Sequence, residues 1–245
     1  MSSGRRLGGV SVCPRWVASV VLVVTALAGC ESAPRAAEEP APGAASEPAS
    51  ASPRVLRRAS ELQPPEPTGP RASDGRPRTA LLAIPALGLK GLRVVPYRGF
   101  TDDGPGTAIQ DRGVAASPFG PRGGTGPGGI GNYQVTAHRT SATRAFEFLP
   151  SLRPGARVVV ETGRRRFLYV VTATRRTSFR SERSLAEQRA AVPGRPGREP
   201  TRAMITLSTC ATPEDHAAGN YWSDQFHNPE HRIDKIGVLV RSSRA

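Results

Sequence analysis

The sequence predicts an all-β domain, folded as a closed or nearly closed barrel, over residues 77–245. From about residue 78 onward, short runs rich in β-branched residues alternate with Gly and Pro. The chain holds 26 Gly and 24 Pro in 245 residues, which favours turns over a helical bundle. An α/β layered fold would need longer helices between its strands, and the sequence contains no such segments. Many short strands with frequent turns are typical of a barrel.

Seven runs are candidate strands, and two turns and two short helical segments connect some of them. The strands are 80–84, 92–96, 132–138, 157–161, 166–173, 203–209 and 236–241. Residues 162–165, which include Gly163, separate two of the runs by the distance of a hairpin turn, and Arg153-Pro154-Gly155 is a turn. Short helical turns are expected at 144–149 and 184–190.

The N-terminus is predicted to be a secretory signal, residues 1–30. Arg5, Arg6 and Arg15 precede an apolar run at 16–28, which is shorter than the roughly 18 residues that a membrane span requires. The run ends at Leu27-Ala28-Gly29-Cys30, which resembles a bacterial lipobox, in which Cys30 would be diacylated. An uncleaved N-terminal anchor is the alternative. Both interpretations place the rest of the chain outside the cytoplasm, attached to the outer face of the membrane.

Residues 31–76 are predicted to be a disordered linker. They are rich in Ala, Pro, Glu and Ser and carry few large apolar residues. Such a segment buries too little apolar surface to offset its conformational entropy. We therefore expect a stiff tether between the membrane and a folded domain at 77–245.

The net charge of +14 suits an exported domain that works beside an anionic cell envelope. A nucleic-acid site would need aromatic side chains interleaved with a basic stripe, and aromatic residues make up only 5% of the chain. The cluster at Arg164, Arg165 and Arg166 falls at a predicted hairpin tip, where solvated loop charge is the simpler explanation. No nucleic-acid partner is expected.

Cys210 is the candidate nucleophile. Three cysteines cannot build a disulfide framework. The signal peptide would remove Cys13 and acylation would use Cys30, so Cys210 remains as a free thiol in an oxidising compartment. It ends an apolar strand, a rigid position from which to present a reactive group. A cysteine in this position is also commonly a small buried apolar residue.

Two further side chains fit the chemistry of a thiol nucleophile. His138 ends another predicted strand and could transfer protons. Arg232 lies just before the final strand, where its guanidinium could stabilise a thiolate or an oxyanion. Composition alone does not show that the three side chains lie together in space.

The motifs around these residues resemble those of the sortase family, in its actinobacterial class E form. They are His138-Arg139-Thr140, Thr206-Leu207-Ser208-Thr209-Cys210 and the arginine at the start of the last strand. The resemblance implies an eight-stranded β-barrel with one or two short helices and a catalytic triad of His138, Cys210 and Arg232. It also implies a cysteine transpeptidase that cleaves an LAxTG- or LPxTG-like sorting motif between Thr and Gly. The protein released in this way would be joined to an amine of lipid II or peptidoglycan.

Several residues near the predicted site have two interpretations. Thr209 either orients the substrate or is an ordinary strand residue. The segment 211–231 is longer than the Cys-to-Arg loop usual in class E. Its Tyr221 and Trp222 either form an apolar rim for the sorting peptide or pack the loop onto the barrel.

No metal or cofactor is required by this chemistry. Residues 227–231 match H-x-x-E-H formally, but Pro229 disfavours the helix that a zinc site of this kind needs. A calcium ion held by Glu214, Asp215, His216 and Asp224 is the alternative to ordinary loop solvation.

Three other functions are compatible with the sequence. The barrel could be a sortase-like hydrolase, or it could bind sorting peptides without turnover. In a different functional class, the chain could be a non-catalytic lipoprotein that holds anionic envelope polymers with its basic surface.

Overall fold

Eight strands enclose a barrel within residues 73–245, the part of the chain that this computed structural model describes. Their bounds are β1 Ala80–Ile84, β2 Leu89–Arg98, β3 Ala115–Phe119, β4 Gly131–Thr136, β5 Arg157–Thr162, β6 Arg165–Ser178, β7 Ala203–Cys210 and β8 His231–Arg244. The predicted signal peptide, Cys30 and the linker as far as residue 72 lie outside the described residues. The predicted all-β class and eight-stranded barrel are confirmed.

The strands follow one another around the barrel in the order β1-β2-β3-β4-β7-β8-β6-β5. The pairs β2–β3 and β4–β7 are parallel, and the other neighbouring pairs are antiparallel. Each parallel pair needs a crossover connection rather than a tight hairpin. These two crossovers carry the longer helices of the domain onto the outside of the barrel.

Three short α-helices occur among the described residues: α1 Gly104–Gln110, α2 Glu182–Arg189 and α3 Thr212–Ala217. Each lies in a connection between strands, so they leave the fold class unchanged. Helix α1 follows β2, α2 follows β6, and α3 begins two residues after β7 ends. Two 3-10 turns, Pro85–Leu87 and Leu149–Ser151, complete the connections.

The barrel interior is filled by apolar side chains that alternate along the strands. In β7, Ile205 and Leu207 point inward, and in β4, Tyr133 and Val135 do the same. A smaller apolar cluster of Tyr97, Ile109 and Ala116 packs α1 onto the outside of β2 and β3. The helix-bearing connection between these strands is thereby fixed against the barrel wall.

The outer face of β4, β7 and β8 is polar and yet buried, which sets it apart from an ordinary solvated face. The β7 residues Thr206 and Ser208 share this face with Asp234 of β8, and all three are almost fully buried. Gln188 of α2 donates hydrogen bonds to Ser208 Oγ (3.3 Å) and Asp234 Oδ1 (3.0 Å). A polar network under α2 therefore supports the ends of β7 and β8.

Sequence and structure differ most clearly at β3 and β8. The β3 segment, Ala115–Phe119, contains small residues and Pro118 and lacks the β-branched pattern that identified the other strands. Strand β8 begins at His231, five residues before the predicted start. Arg232 therefore lies within the last strand rather than before it. The prediction missed the first residues of β8 because most of them are polar.

Ser73 to Arg76, assigned by sequence to the linker, contact the loop before β4. The Ser73 amide donates to Gly128 O (2.8 Å), and the Gly126 amide donates to Gly75 O (2.7 Å). This part of the chain is therefore bonded to the barrel. Within residues 73–245, no helix has both the length and the apolar character needed to cross a membrane.

Candidate active site

Cys210 is the last residue of β7 and lies directly opposite Arg232 of β8 in the antiparallel register. The strand is continuous and apolar on its inner side, so it holds the Cys210 backbone rigidly at the barrel rim. The residue is 8% exposed, and its thiol is free. Burial raises the pKa of Cys210, Arg232 opposes this rise, and Asp102 adds to it.

The Arg232 guanidinium is buried and contacts three groups at once. Its Nη1 donates to Cys210 Sγ at 2.6 Å, and its Nη2 donates to Asn228 Oδ1 at 3.0 Å and lies 2.7 Å from Asp102 Oδ1. The Phe179 ring lies beside it, with Cζ 5.2 Å from the ring centroid. Burial alone would lower the pKa of Arg232, but the negative charges of Asp102 and of the other acidic groups around the guanidinium raise it. The guanidinium is therefore a fixed positive charge against the sulfur.

Asp102, which the sequence analysis missed, is the acidic partner of Arg232. It precedes α1 and adopts a left-handed backbone conformation (φ 60°), in which Asn and Asp are more frequent than most residues. Gln110 at the end of α1 donates to its Oδ1 at 3.0 Å. The Asp-Gly-Pro signal at 103–105 indicates a helix start, but no local signal shows that Asp102 meets Arg232.

The long connection from Cys210 to Arg232 closes back onto the site through Asn228. The Asn228 side chain accepts from Arg232 and donates to Asp224 Oδ2 (3.0 Å) and to Asp102 O (3.2 Å). The formal H-x-x-E-H segment is thus a loop whose Asn bridges the two partners of the ion pair. Its second histidine, His231, lies 2.8 Å from Asp215 Oδ1.

His138 follows β4 by two residues and is mostly buried. Its Nε2 lies 2.8 Å from Oδ1 of Asp111, the residue that follows α1, whose own side chain is 63% exposed. The helix α1 is therefore flanked by two carboxylates, one at the guanidinium and one at the imidazole. No motif in the sequence marks Asp111 either.

The register of β4 and β7 brings His138 to the same rim as Cys210. Thr136 pairs with Ser208, and the Ala137 amide donates to Ser208 O (3.3 Å). His138 and Cys210 each follow this pair by two residues, so both lie at the same end of the β4–β7 pairing. Arg139 fastens the two strand ends by donating to Cys210 O (3.3 Å). Thiol, imidazole and guanidinium thus lie at one end of three adjacent strands, an arrangement suited to acyl transfer through a thioester.

The predicted substrate contacts occupy different environments. The Thr209 side chain is fully buried, and its hydroxyl donates to Ala137 O at 2.8 Å. Tyr221 is 72% exposed and stacks on His216 with ring centroids 4.7 Å apart. Trp222 is half-buried, with Arg180 Cζ 6.0 Å from its ring centroid. Their roles toward a substrate stay predictions.

The carboxylates considered for calcium have other partners. Glu214 pairs with Arg139, Asp215 with Arg176 and His231, and Asp224 bonds to Asn228. Between residues 73 and 245, no group of three His, Cys, Asp or Glu side chains is placed to hold a metal ion. The residues present do not fit a calcium site.

Comparison with known proteins bears on the family and the fold of the chain. A family model for the sortase domain matches residues 82–222, which include His138 and Cys210. The SrtA sortase of Actinomyces oris has the same fold, with a TM-score of 0.53 at 18% identity over 73% of this chain and 89% of that protein. Sortase E1 of Streptomyces coelicolor, solved with a tripeptide in its active site, gives 0.51 at 23% identity over 71% and 94%. No curated protein sequence matches the chain.

The family match covers more than half of the chain, and the barrel and the thiol at the end of β7 accord with it. The chain belongs to the sortase family.

Proposed function

We propose that this sortase is an actinobacterial, class E-like cysteine transpeptidase that cleaves an LAxTG- or LPxTG-like sorting motif between Thr and Gly. The observation that carries the proposal is the contact of 2.6 Å between Arg232 Nη1 and Cys210 Sγ at the buried ends of β7 and β8. Because packed apolar residues often stabilise a core as well as a buried charge network does, the buried guanidinium against the thiol favours a chemical role.

In the first half-reaction, the Cys210 thiolate attacks the carbonyl carbon of the motif's Thr. The carbonyl oxygen becomes an oxyanion, which accepts hydrogen bonds from Arg232. His138, as imidazolium, gives its proton to the Gly nitrogen while the C–N bond breaks. The products are a thioester on Cys210 and a free peptide that begins with Gly.

In the second half-reaction, an amine of lipid II or peptidoglycan attacks the thioester carbon. His138 takes the proton that the amine loses, a new C–N bond forms, and the C–S bond breaks to release the thiolate. Water in place of the amine gives hydrolysis, so the same site accounts for a sortase-like hydrolase. The environment of Cys210 keeps its pKa above the usual range, so only a minor fraction is thiolate at neutral pH.

Asp102 and Asp111 act as positioning residues in this scheme. Asp102 and Asn228 hold the guanidinium in the plane that reaches Cys210, and the pair is shielded from water. Asp111 fixes one ring nitrogen of His138, which orients the imidazole. Neither carboxylate needs to touch the substrate.

The exposed fraction of each candidate side chain indicates whether it contacts the substrate. The exposed Tyr221 and the half-buried Trp222 form an aromatic surface on the loop between Cys210 and Arg232, which suits the apolar residues of a sorting motif. The Thr209 hydroxyl is already bonded to Ala137 O, so Thr209 supports the backbone and does not contact the substrate. This bond keeps the ends of β4 and β7, and hence His138 and Cys210, in register.

The chain is anchored outside the cytoplasm in this proposal. The lipobox at 27–30 supports diacylation of Cys30, with an uncleaved helix at 16–28 as the alternative. Residues 31–72 would then span the distance to the barrel, and the basic charge of the chain suits an anionic envelope. The mass of the membrane-extracted protein distinguishes the two anchors, because diacylation changes both the mass and the N-terminus.

The decisive experiment measures thioester formation on the detergent-solubilised full chain. Labelled peptides with LAxTG or LPxTG motifs should give a thioester on Cys210, detected by mass, and a ligated product with an amine. Cys210→Ala should abolish both. Arg198→Gln, a change on the exposed loop after α2, should leave both intact. Peptide binding without turnover in the wild type would overturn the catalytic proposal and favour a barrel that binds sorting peptides, whereas neither binding nor turnover would favour an envelope-binding lipoprotein.

A further inference from the structure

Two arginines on the outer face of the barrel press against a single phenyl ring. Arg122 follows β3, and Arg189 is the last residue of α2. Their Cζ atoms lie 4.3 Å and 4.6 Å from the centroid of the Phe100 ring. We call Arg122 and Arg189 the arginine pair.

The arginine pair has no carboxylate partner in the described part of the chain. None of the ion pairs within 4.0 Å involves Arg122 or Arg189, although Arg139, Arg175, Arg176 and Arg232 all have acidic partners. Arg189 is half-buried and makes one long hydrogen bond, to Thr101 Oγ1 at 3.4 Å. Burial and the like charge of Arg122 lower the pKa of Arg189, while Asp102, Glu182 and Asp103 act in the opposite sense.

Two like charges beside one apolar ring form an arrangement that a bound anion would stabilise. A planar guanidinium binds carboxylate or phosphate with two parallel hydrogen bonds. Both guanidiniums contact the Phe100 ring, which reduces the side-chain entropy that is lost when an anion binds. A cleft of about 310 Å³ lies at this place, lined among others by Pro121, Arg122, Glu182, Leu185 and Arg189. Glu182 is the one acidic residue of this lining, and it is exposed to solvent.

The arginine pair is connected to the catalytic rim by short covalent and hydrogen-bonded paths. Phe100 is two residues from Asp102, which binds Arg232. Gln188, the neighbour of Arg189, bonds to Ser208, two residues before Cys210. Because alternate residues of a strand share one face, Cys210 shares the outer face of β7 with Ser208, which Gln188 of α2 contacts.

We propose that the arginine pair binds an anionic group, carboxylate or phosphate, of the amine acceptor in the second half-reaction. This inference rests on the proposed function. A sorting motif carries no fixed negative charge up to its scissile bond, whereas cell-wall stem peptides carry carboxylates and lipid-linked precursors carry phosphates. The arginine pair takes part in no bond making. It holds the acceptor so that its amine reaches the thioester carbon.

The test separates acceptor use from thioester formation. The full chain is supplied with one labelled LAxTG peptide and with one of three acceptors. These are triglycine, triglycine amide, and triglycine amide whose amide nitrogen carries a 2-phosphoethyl group. The measured quantity is the ratio of ligated to hydrolysed product. The wild type should favour each charged acceptor over the neutral amide by about tenfold, and a difference between the two would identify carboxylate or phosphate as the better ligand.

The variants are Arg122→Gln, Arg189→Gln and the double change. In each, the preference for charged acceptors should fall toward one, while the rate of thioester formation and the use of triglycine amide stay at the wild-type level. Arg198→Gln removes the same charge from the exposed loop after α2 and should keep the preference. Arg122 is exposed, so its variant tests the proposal even if Arg189→Gln folds poorly.

Two results would overturn the inference. One is equal use of charged and neutral acceptors by a wild type that forms the thioester normally. The other is a preference that persists in the double variant. A wild type that forms no thioester would instead overturn the proposed function, and this inference with it.

Discussion

The Arg232 side and the His138 side of the site are both fastened to the short helix α1, but in different environments. Asp102 and Arg232 are almost fully buried, whereas the Asp111 side chain that meets His138 is largely exposed. Breaking a buried ion pair by removing one partner costs about 3–5 kcal/mol. An exposed pair contributes about 0–1 kcal/mol.

The Arg232 and His138 side chains therefore differ in how freely they can move. The guanidinium is held against the thiol by groups that water does not reach, so its position is set by the fold. The imidazole is held by a contact that solvent and salt weaken, so it can turn toward the sulfur, the leaving nitrogen or the incoming amine. A proton carrier must make such moves, and a charge that stabilises an oxyanion must not.

The largest effect is expected at Arg232 itself. Arg232→Lys should lower kcat/KM for peptide cleavage by about 100-fold or more, because one ammonium cannot reach Cys210, Asn228 and Asp102 together. Steady-state cleavage of a labelled LAxTG peptide measures this loss. Arg198→Lys, on the exposed loop after α2, is the matched control. Retention of more than a third of the activity in Arg232→Lys would show that the buried side is not the fixed one.

Asp102→Asn should lower turnover by roughly 10–100-fold through misplacement of Arg232. It should also make Cys210 easier to alkylate at neutral pH, since the negative charge of Asp102 helps to raise the pKa of that thiol. Turnover and thiol reactivity thus move in opposite directions.

Asp103→Asn provides the control for Asp102→Asn. Asp103 is also buried, but it caps α1 by accepting from the Gly106 amide at 2.8 Å and has no contact with Arg232. Asn caps a helix about as well as Asp, so Asp103→Asn should leave both the helix and the thiol largely unchanged. Unfolding would also expose the buried thiol and speed its alkylation, so Asp102→Asn must melt cooperatively, with the circular dichroism spectrum of the wild type. Loss of turnover with no rise in thiol reactivity in the folded variant would contradict the role assigned to Asp102.

The alkylation rate of Cys210 should rise about tenfold per pH unit through neutral pH. The thiol pKa is raised in the folded protein, so below it each unit of pH increases the thiolate fraction tenfold. Stopped-flow reaction with a thiol-directed sulfonate between pH 6 and 10 measures this profile. A plateau below pH 7 would mean that Arg232 outweighs burial, contrary to the geometry described.

The smallest effect is expected at Asp111. Asp111→Asn should reduce kcat by about two- to five-fold with little change in KM, because an exposed pair contributes at most about 1 kcal/mol. Raising the salt concentration to 1 M should reproduce much of this loss in the wild type and little in the variant. Asp111→Glu should recover part of the activity. A loss as large as that of Asp102→Asn would erase the contrast between the two sides.

The sequence predicted the strands whose apolar residues alternate, and it missed segments whose stability comes from contacts made elsewhere. Strand β1 and the end of β7 at Cys210 are where the pattern indicated. Strand β3 is missed because it is held by β2 rather than by its own side chains. The first residues of β8 are missed because Arg232, Asp234 and Lys235 are polar residues buried by their partners.

The site divides in the same way. His138, Cys210 and Arg232 lie in motifs with a recognisable chemistry, so a sequence reader can propose them. Asp102, Asp111 and Asn228 lie in segments that read as ordinary turns and caps. Their contacts depend on how α1 and the loop before β8 pack over the rim, which is set by long-range contacts such as the apolar cluster under α1. No local pattern encodes such an arrangement.

The two lysines of the chain, Lys90 and Lys235, have a consequence for an enzyme whose intermediate reacts with primary amines. Lys235 is buried, with its Nζ bonded to Pro150 O (2.8 Å) and Thr174 Oγ1 (3.0 Å). Arginine supplies nearly all the remaining basic charge, and its guanidinium is too weak a nucleophile to attack a thioester. Self-ligation through a side chain is therefore confined to the exposed Lys90. The variant Lys90→Arg would present no exposed lysine to its own thioester.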